Sequence, residues 1–143
     1  MARSRKAEET ADKIHSAAIR LLRFVRKEDA ASGIPAAQLS ALSVLTFAGP
    51  QSLTMLAIAE QVKPSTMSQL VAAMERKGLV ARTPMDRRSI RISATEKGRR
   101  LLEAGRRRRL ARLAEALAHL TPAKLALLRE AADAILTITE PKV

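Results

Sequence analysis

The sequence contains no cysteine, tryptophan or tyrosine, and only two phenylalanines. Without thiols it holds no disulfide, no thiolate metal ligand and no thiol redox sensor. With aromatics at 1%, any core must be built from Leu, Ile, Val, Ala and Met, a palette that favours helices. The histidines, His15 and His119, are separated by most of the chain, so neither a metal site nor a histidine-based catalytic pair is expected. No Gly-rich phosphate loop or acid pair is present, and neither an enzyme nor a cofactor is read from the sequence. No apolar run approaches the roughly 18 residues that a membrane span needs. "AEETADK" follows "MARSRK" where a leader would be apolar or acid-poor, which reads as a cytoplasmic protein.

What is present is basic charge, unevenly placed. The 143 residues suit one compact domain or one subunit of an interlocked dimer, and their net charge is +12. Residues 31–60 carry no base and one acid, whereas residues 61–93 carry seven bases against two acids. A localised basic face implies a polyanionic partner, most often nucleic acid. Generic basicity for solubility is the bland alternative. The "RRRR" run at 106–109 wraps all sides of a helix, cannot all face one partner, and is read as solvated surface.

Hydrophobic periodicity places the elements. From Glu8 to about Ala31, Ile14, Ala18, Leu21 and Val25 form one helical stripe, which Gly33 stops. "PAAQLSALSVLTFAG" is a second, more buried helix ended by Gly49-Pro50. A short extended stretch precedes a small helix opening at Thr54, a candidate N-cap. After a few residues around Gln61 to Lys63, a further helix has Pro64 at its first position and Gly78 beyond its end. Met67, Leu70, Val71 and Met74 share one face of it, and the opposite face presents Ser65, Thr66, Ser68 and Gln69. Two short helices joined this tightly form a helix-turn-helix.

The period then changes to two. "LVART" and "SIRIS" read as strands flanking "PMDRR", a β-hairpin with a basic tip. Thr95 caps a helix running to about Leu120, and a last helix restarts at Thr121-Pro122 and ends at Pro141. Leu110, Leu113, Leu117 and Leu120 on one, and Leu125, Leu128, Ala132 and Ile135 on the other, are packing stripes. The expected architecture is mainly α with a small β-hairpin wing. A winged helix-turn-helix lobe spans residues 36–95, within a single domain of residues 1–143 whose dimerisation helices are 1–33 and 96–140.

Each part of that order answers a requirement of duplex DNA. A major groove about 12 Å wide admits a helix and exposes base-specific donors and acceptors. The helix at 64–77 is slim at its start, and the Ser65, Thr66 and Ser68 hydroxyls suit phosphate or base edges. Gln69 can pair with adenine. Arg76 and Lys77 lie at the far end, where the backbone would pass. The wing at 82–92 would bring Arg87, Arg88 and Arg91 to the adjacent minor groove, whose negative potential attracts arginine. Asp86 is read as an orienter that holds a guanidinium, most simply that of Arg88. The competing reading is an architectural, nucleoid-type binder with little sequence discrimination.

"LAIAEQVKPSTMSQLVAAMERKGLVARTPMDRRSIRISATEKGRRLL" resembles the DNA-binding core of the MarR family of bacterial transcriptional regulators. The matching pieces are "PSTMSQLV", "KGLV", Asp86-Arg87-Arg88 and "ATEKG", and "GIPAAQLSALSVL" resembles the family's second helix. The resemblance implies a homodimer with interlocking N- and C-terminal helices, bound to a pseudo-palindromic operator in double-stranded DNA. It also implies a repressor, occasionally an activator, released by a small effector between the dimer helices and the DNA-binding lobe. Lys63 stands where relatives often have a Ser cap, and Ala94 replaces a common Leu. The absence of cysteine excludes the peroxide-sensing branch.

Overall fold

The computed structural model describes residues 2–140. Helix α1 spans Ala2–Arg26 and passes into a short 3-10 helix, Lys27–Ser32. Helix α2 is Ala36–Phe47, strand β1 Gln51–Ser52, helix α3 Leu53–Ala59 and helix α4 Pro64–Arg76. Strands β2, Val80–Pro84, and β3, Ile90–Ala94, lead to helix α5, Glu96–Leu117, and helix α6, Pro122–Thr139. The residues form two compact units divided inside α5, one up to Arg109 and one from Leu110 onward. No single helix among the described residues is long and apolar enough to cross a membrane.

The element order matches the sequence reading, with differences at the ends. The first helix begins at Ala2 rather than Glu8, and its last turn tightens to 3-10 from Lys27. Ser32 closes that segment: its hydroxyl donates to the Asp29 carbonyl (2.7 Å) and accepts the Ile34 N–H (3.1 Å). Gly33 then turns the chain out at φ 68°, a left-handed value that favours glycine. The cap of α3 is Ser52, whose hydroxyl accepts the Met55 N–H at 3.2 Å. The sequence reading had placed it at Thr54, which lies inside the helix. The extended stretch before α3 proves to be a strand: Gln51 and Ser52 pair antiparallel with Ile92 and Arg91. The hairpin therefore belongs to a three-stranded sheet of order β1-β3-β2. The stop expected at Pro141 lies outside the described residues.

The core of the first unit comes from the lobe itself. Leu42 and Leu45 of α2, Leu56 of α3, and Met67, Val71 and Met74 of α4 meet Leu79, Val80 and Ile92 of the hairpin. Each such side chain contributes roughly 1.5–3 kcal/mol on burial, and together they set the mutual positions of α2, α3, α4 and the sheet. Gly98 of α5 enters this core so closely that a Cβ there would stand 2.3 Å from the Leu79 carbonyl oxygen. The first turn of α5 thus rests directly on the backbone that joins α4 to β2.

Candidate nucleic-acid interface

The turn between α3 and α4 is Glu60 to Lys63. It closes through the Gln61 N–H on Ile58 O (3.1 Å) and the Val62 N–H on Ala57 O (3.0 Å). Gln61 takes φ 56°, a strained value for a side-chain-bearing residue. Lys63 sits at the N-cap of α4 without a side-chain cap bond, and Pro64 occupies the first turn. The amides that open α4 are thus not taken by a capping side chain.

Helix α4 is divided as its sequence pattern requires. Met67, Val71 and Met74 are fully buried, while Ser65, Thr66, Gln69 and Arg76 are exposed and Ser68 is half-buried. The five polar residues therefore share a helix whose apolar side anchors it in the lobe. Lys77 behaves differently from its neighbour Arg76. Its ammonium donates to Gln38 Oε1 of α2 at 2.8 Å.

The hairpin tip is Met85 to Ser89, closed by the Met85 N–H on Ser89 O at 3.0 Å. Arg87, Arg88 and Arg91 are all exposed. Asp86 Oδ1 accepts the backbone N–H of Arg88 and of Ser89, each at 2.9 Å. These bonds, that from Arg88 first and those from the Ser89 hydroxyl and amide after it, hold the Asp86 carboxyl below its ordinary value. The expected grip on the Arg88 guanidinium is replaced by a turn bond to the Arg88 backbone. The reason is reach: a short Asp side chain meets the amides two and three residues on before any flexible head group. The guanidinium that is held is Arg82, whose Nε lies 3.4 Å from Glu75 Oε2 on α4. Glu75 is one of only two acids in the basic segment, and that rarity was the available signal of its role.

The arginine run also departs from expectation. Arg106 and Arg107 are exposed, but Arg108 and Arg109 are half-buried. Arg109 pairs with Asp29, and Arg108 Nε is buried without a hydrogen-bond partner among the described residues. Both line a cleft of about 790 Å³ with Leu22, Ile34, Leu39 and Leu101.

Residues 34–90 match the MarR family. An HTH-type transcriptional regulator of Mycobacterium tuberculosis is 37% identical over 126 residues, covering 87% of this chain and 88% of that one. The chain belongs to the MarR family. It is a transcriptional regulator and not an enzyme. A MarR family protein of Bacillus stearothermophilus superposes with TM-score 0.77 at 26% identity, over 96% of this chain and 98% of its own. A transcriptional regulator of Thermotoga maritima, 24% identical, reaches TM-score 0.82 over 93% and 95% of the two chains, which bears on fold alone. The winged-helix fold of MarR regulators is therefore present, with α3 and α4 as its helix-turn-helix and β2-β3 as its wing.

Proposed function

We propose that this regulator binds double-stranded DNA as a homodimer, with α4 in the major groove and the hairpin wing in the adjacent minor groove. The observation that carries the reading is the composition of the exposed surface. Ser65, Thr66, Gln69 and Arg76 on α4, and Arg87, Arg88 and Arg91 on the hairpin, lie in the open, and the two acids beside them are engaged, Glu75 with Arg82 and Asp86 with the amides of the tip. Ser68 completes the helix face, the uncapped first turn of α4 suits a phosphate, and Gln69 suits an adenine. Asp86 orders the tip that carries the arginines.

Dimerisation is supported by apolar surface that one chain leaves uncovered. Helix α6 has no buried residue, yet Leu127, Leu128, Leu136 and Ile138 lie on it, between 48% and 77% exposed. Helix α1 exposes Leu21 and Leu22 as well. Exposed apolar sets of this size mark an interface. The site read is a pseudo-palindrome with half-sites about 34 Å apart, and the setting is the cytoplasm. The cleft supports release by a small effector. Its aliphatic walls and the unsatisfied Arg108 Nε suit an anionic, largely apolar molecule, and its occupation relieves repression.

Selection of binding duplexes from a random pool, followed by footprinting, tests this. The expected result is a dyad bound with nanomolar affinity and strong preference over bulk DNA. Uniform binding to all duplexes, with a salt slope accounting for nearly all affinity, would replace this reading with an architectural one.

A further inference from the structure

Besides the end of α1 and the 3-10 helix, α2 walls the cleft through Leu39, Ser43 and Val44, and α5 through Leu101, Leu102 and Gly105. Both also grip the C-terminal end of α4, and they do so at one residue. Gln38, on the opposite side of α2 from the cleft, is 6% exposed and is the buried polar side chain of the described core. Its Oε1 accepts the Lys77 ammonium at 2.8 Å. From α5, the Lys97 ammonium donates to the Lys77 carbonyl at 2.8 Å. The carbonyls that follow are taken by the same turn of α5. Thr95 Oγ1 donates to Gly78 O (2.6 Å) and the Thr95 N–H to Leu79 O (3.0 Å).

In the last turn of α4 the Ala73, Glu75 and Met74 carbonyls are taken by the amides of Lys77, Gly78 and Leu79. The three carbonyls that follow the helix, of Lys77, Gly78 and Leu79, are satisfied by Lys97 and Thr95 at the start of a helix lining the cleft. The side chain at the same point is held by the other cleft wall. Gln38 shares the buried side of α2 with the apolar Ala41, Leu42 and Leu45. A buried amide costs stability unless bonded, and its bond goes to the recognition helix.

We infer that Lys77 is a positioning residue. Through it, α2 by Gln38 and α5 by Lys97 jointly set the angle at which α4 meets the groove, and a change in the spacing of the cleft walls is transmitted to α4. The inference rests on the proposed DNA binding by α4. It assigns DNA contact to neither Gln38 nor Lys97, and so separates their role from phosphate neutralisation.

The test uses the full chain, a duplex selected by the wild-type protein, and calf-thymus DNA as the non-specific probe. Gln38→Met keeps volume and charge but removes the acceptor. It is expected to lower affinity for the selected duplex roughly 2- to 30-fold while leaving affinity for calf-thymus DNA within about twofold. Gln38→Glu restores an acceptor for Lys77 and is expected to regain most of the discrimination. Ser43→Leu, which narrows the cleft, is then combined with Gln38→Met. Its effect on the selected duplex should be clearly smaller in the Gln38→Met background than in the wild type, because the link is already cut. Equal loss on both DNAs with Gln38→Met, or strictly additive effects of the two substitutions, would overturn the inference. Failure of the wild-type protein to select any duplex would instead count against the DNA-recognition reading. Should Gln38→Met unfold, Lys97→Met read by the same ratio decides the matter.

Discussion

Arg82 of β2 places its Nε 3.4 Å from Glu75 Oε2 of α4, so the wing is tied to the helix that it flanks. The pair is between one-third and one-half exposed, and at that exposure contributes about 0–1 kcal/mol to stability. Its value lies in orientation. Glu75→Gln therefore separates two effects of opposite sign. Removing an acid beside DNA strengthens binding by electrostatics alone, whereas freeing the wing weakens it. The expected outcome is weaker binding to a selected duplex with a melting temperature within a few degrees of wild type, measured by fluorescence anisotropy and thermal unfolding. Tighter binding would show that the ion pair does not orient the wing.

Arg87 and Arg88 stand exposed at the tip and make no part of the core. Arg88→Ala is expected to leave thermal stability within about 0.5 kcal/mol of wild type. It should weaken DNA binding and reduce the salt slope of log K by about one. An unchanged slope, from titrations at several salt concentrations, would remove Arg88 from the phosphate or minor-groove contacts.

Asp86 is fully exposed, yet its carboxyl lies below its ordinary value of 3.8 because it accepts the Arg88 and Ser89 amides. A depressed folded-state value stabilises the turn above the unfolded value, and that contribution is lost as pH falls through the folded one. The turn should therefore show no pH dependence from Asp86 between pH 5 and 8, and loosen only below pH about 3.8. Amide exchange at Arg88 and Ser89, followed by NMR, checks this. Asp86→Ala should give fast exchange there at neutral pH, and slow exchange in that variant would show that other bonds hold the turn.

Much of this arrangement was legible in the sequence. Met67, Val71 and Met74 announce the buried face of α4 by their spacing, Pro64 and Gly78 mark its ends, and the alternation in "SIRIS" marks β3. What escaped was contact between distant residues. Gln51 and Ser52 become a strand only because β3 offers an edge. Ser52 rather than Thr54 caps α3 because strand pairing fixes where the helix can begin. Asp86 could have bonded a guanidinium or an amide, and turn geometry chose the amide. The Gln38–Lys77 and Glu75–Arg82 pairs join separate elements, and no periodicity reports such a partner. A lone amide in an apolar helix, or a lone acid in a basic segment, is the residual signal.

Gly98 is buried at the first turn of α5, where an added Cβ would lie 2.3 Å from Leu79 O and 3.0 Å from Leu42 Cδ1. Alanine is favoured over glycine in a helix by about 0.8–1 kcal/mol, so a helix-propensity argument alone expects Gly98→Ala to stabilise. Steric contact with backbone opposes it, and overpacking of this kind costs about 1–3 kcal/mol, occasionally more. The contact is with backbone, so the clash should win, lowering stability by up to about 2 kcal/mol net in urea unfolding. It should also weaken DNA binding, because the displaced backbone joins α4 to β2. A stabilised variant would show that α5 does not press on Leu79 as described.

The apolar surface of α6 leads to a prediction about assembly. Leu127, Leu128, Leu136 and Ile138 are 65%, 48%, 63% and 77% exposed in the single chain. Covering four such side chains contributes at most roughly 6–12 kcal/mol per chain, against about 4–15 kcal/mol for the freedom lost on association. With both chains contributing, the gain can reach about 12–24 kcal/mol and exceed that cost. Leu136→Asp combined with Ile138→Asp places two unpaired charges in that surface, where burial of each costs several kcal/mol. Multi-angle light scattering should then report a dimer for the wild type and a monomer for the double variant. A dyad that needs two linked lobes should lose far more affinity than a single half-site does. A wild-type protein that is monomeric at micromolar concentration would refute the dimer. A double variant that still dimerises would place the interface elsewhere than this end of α6.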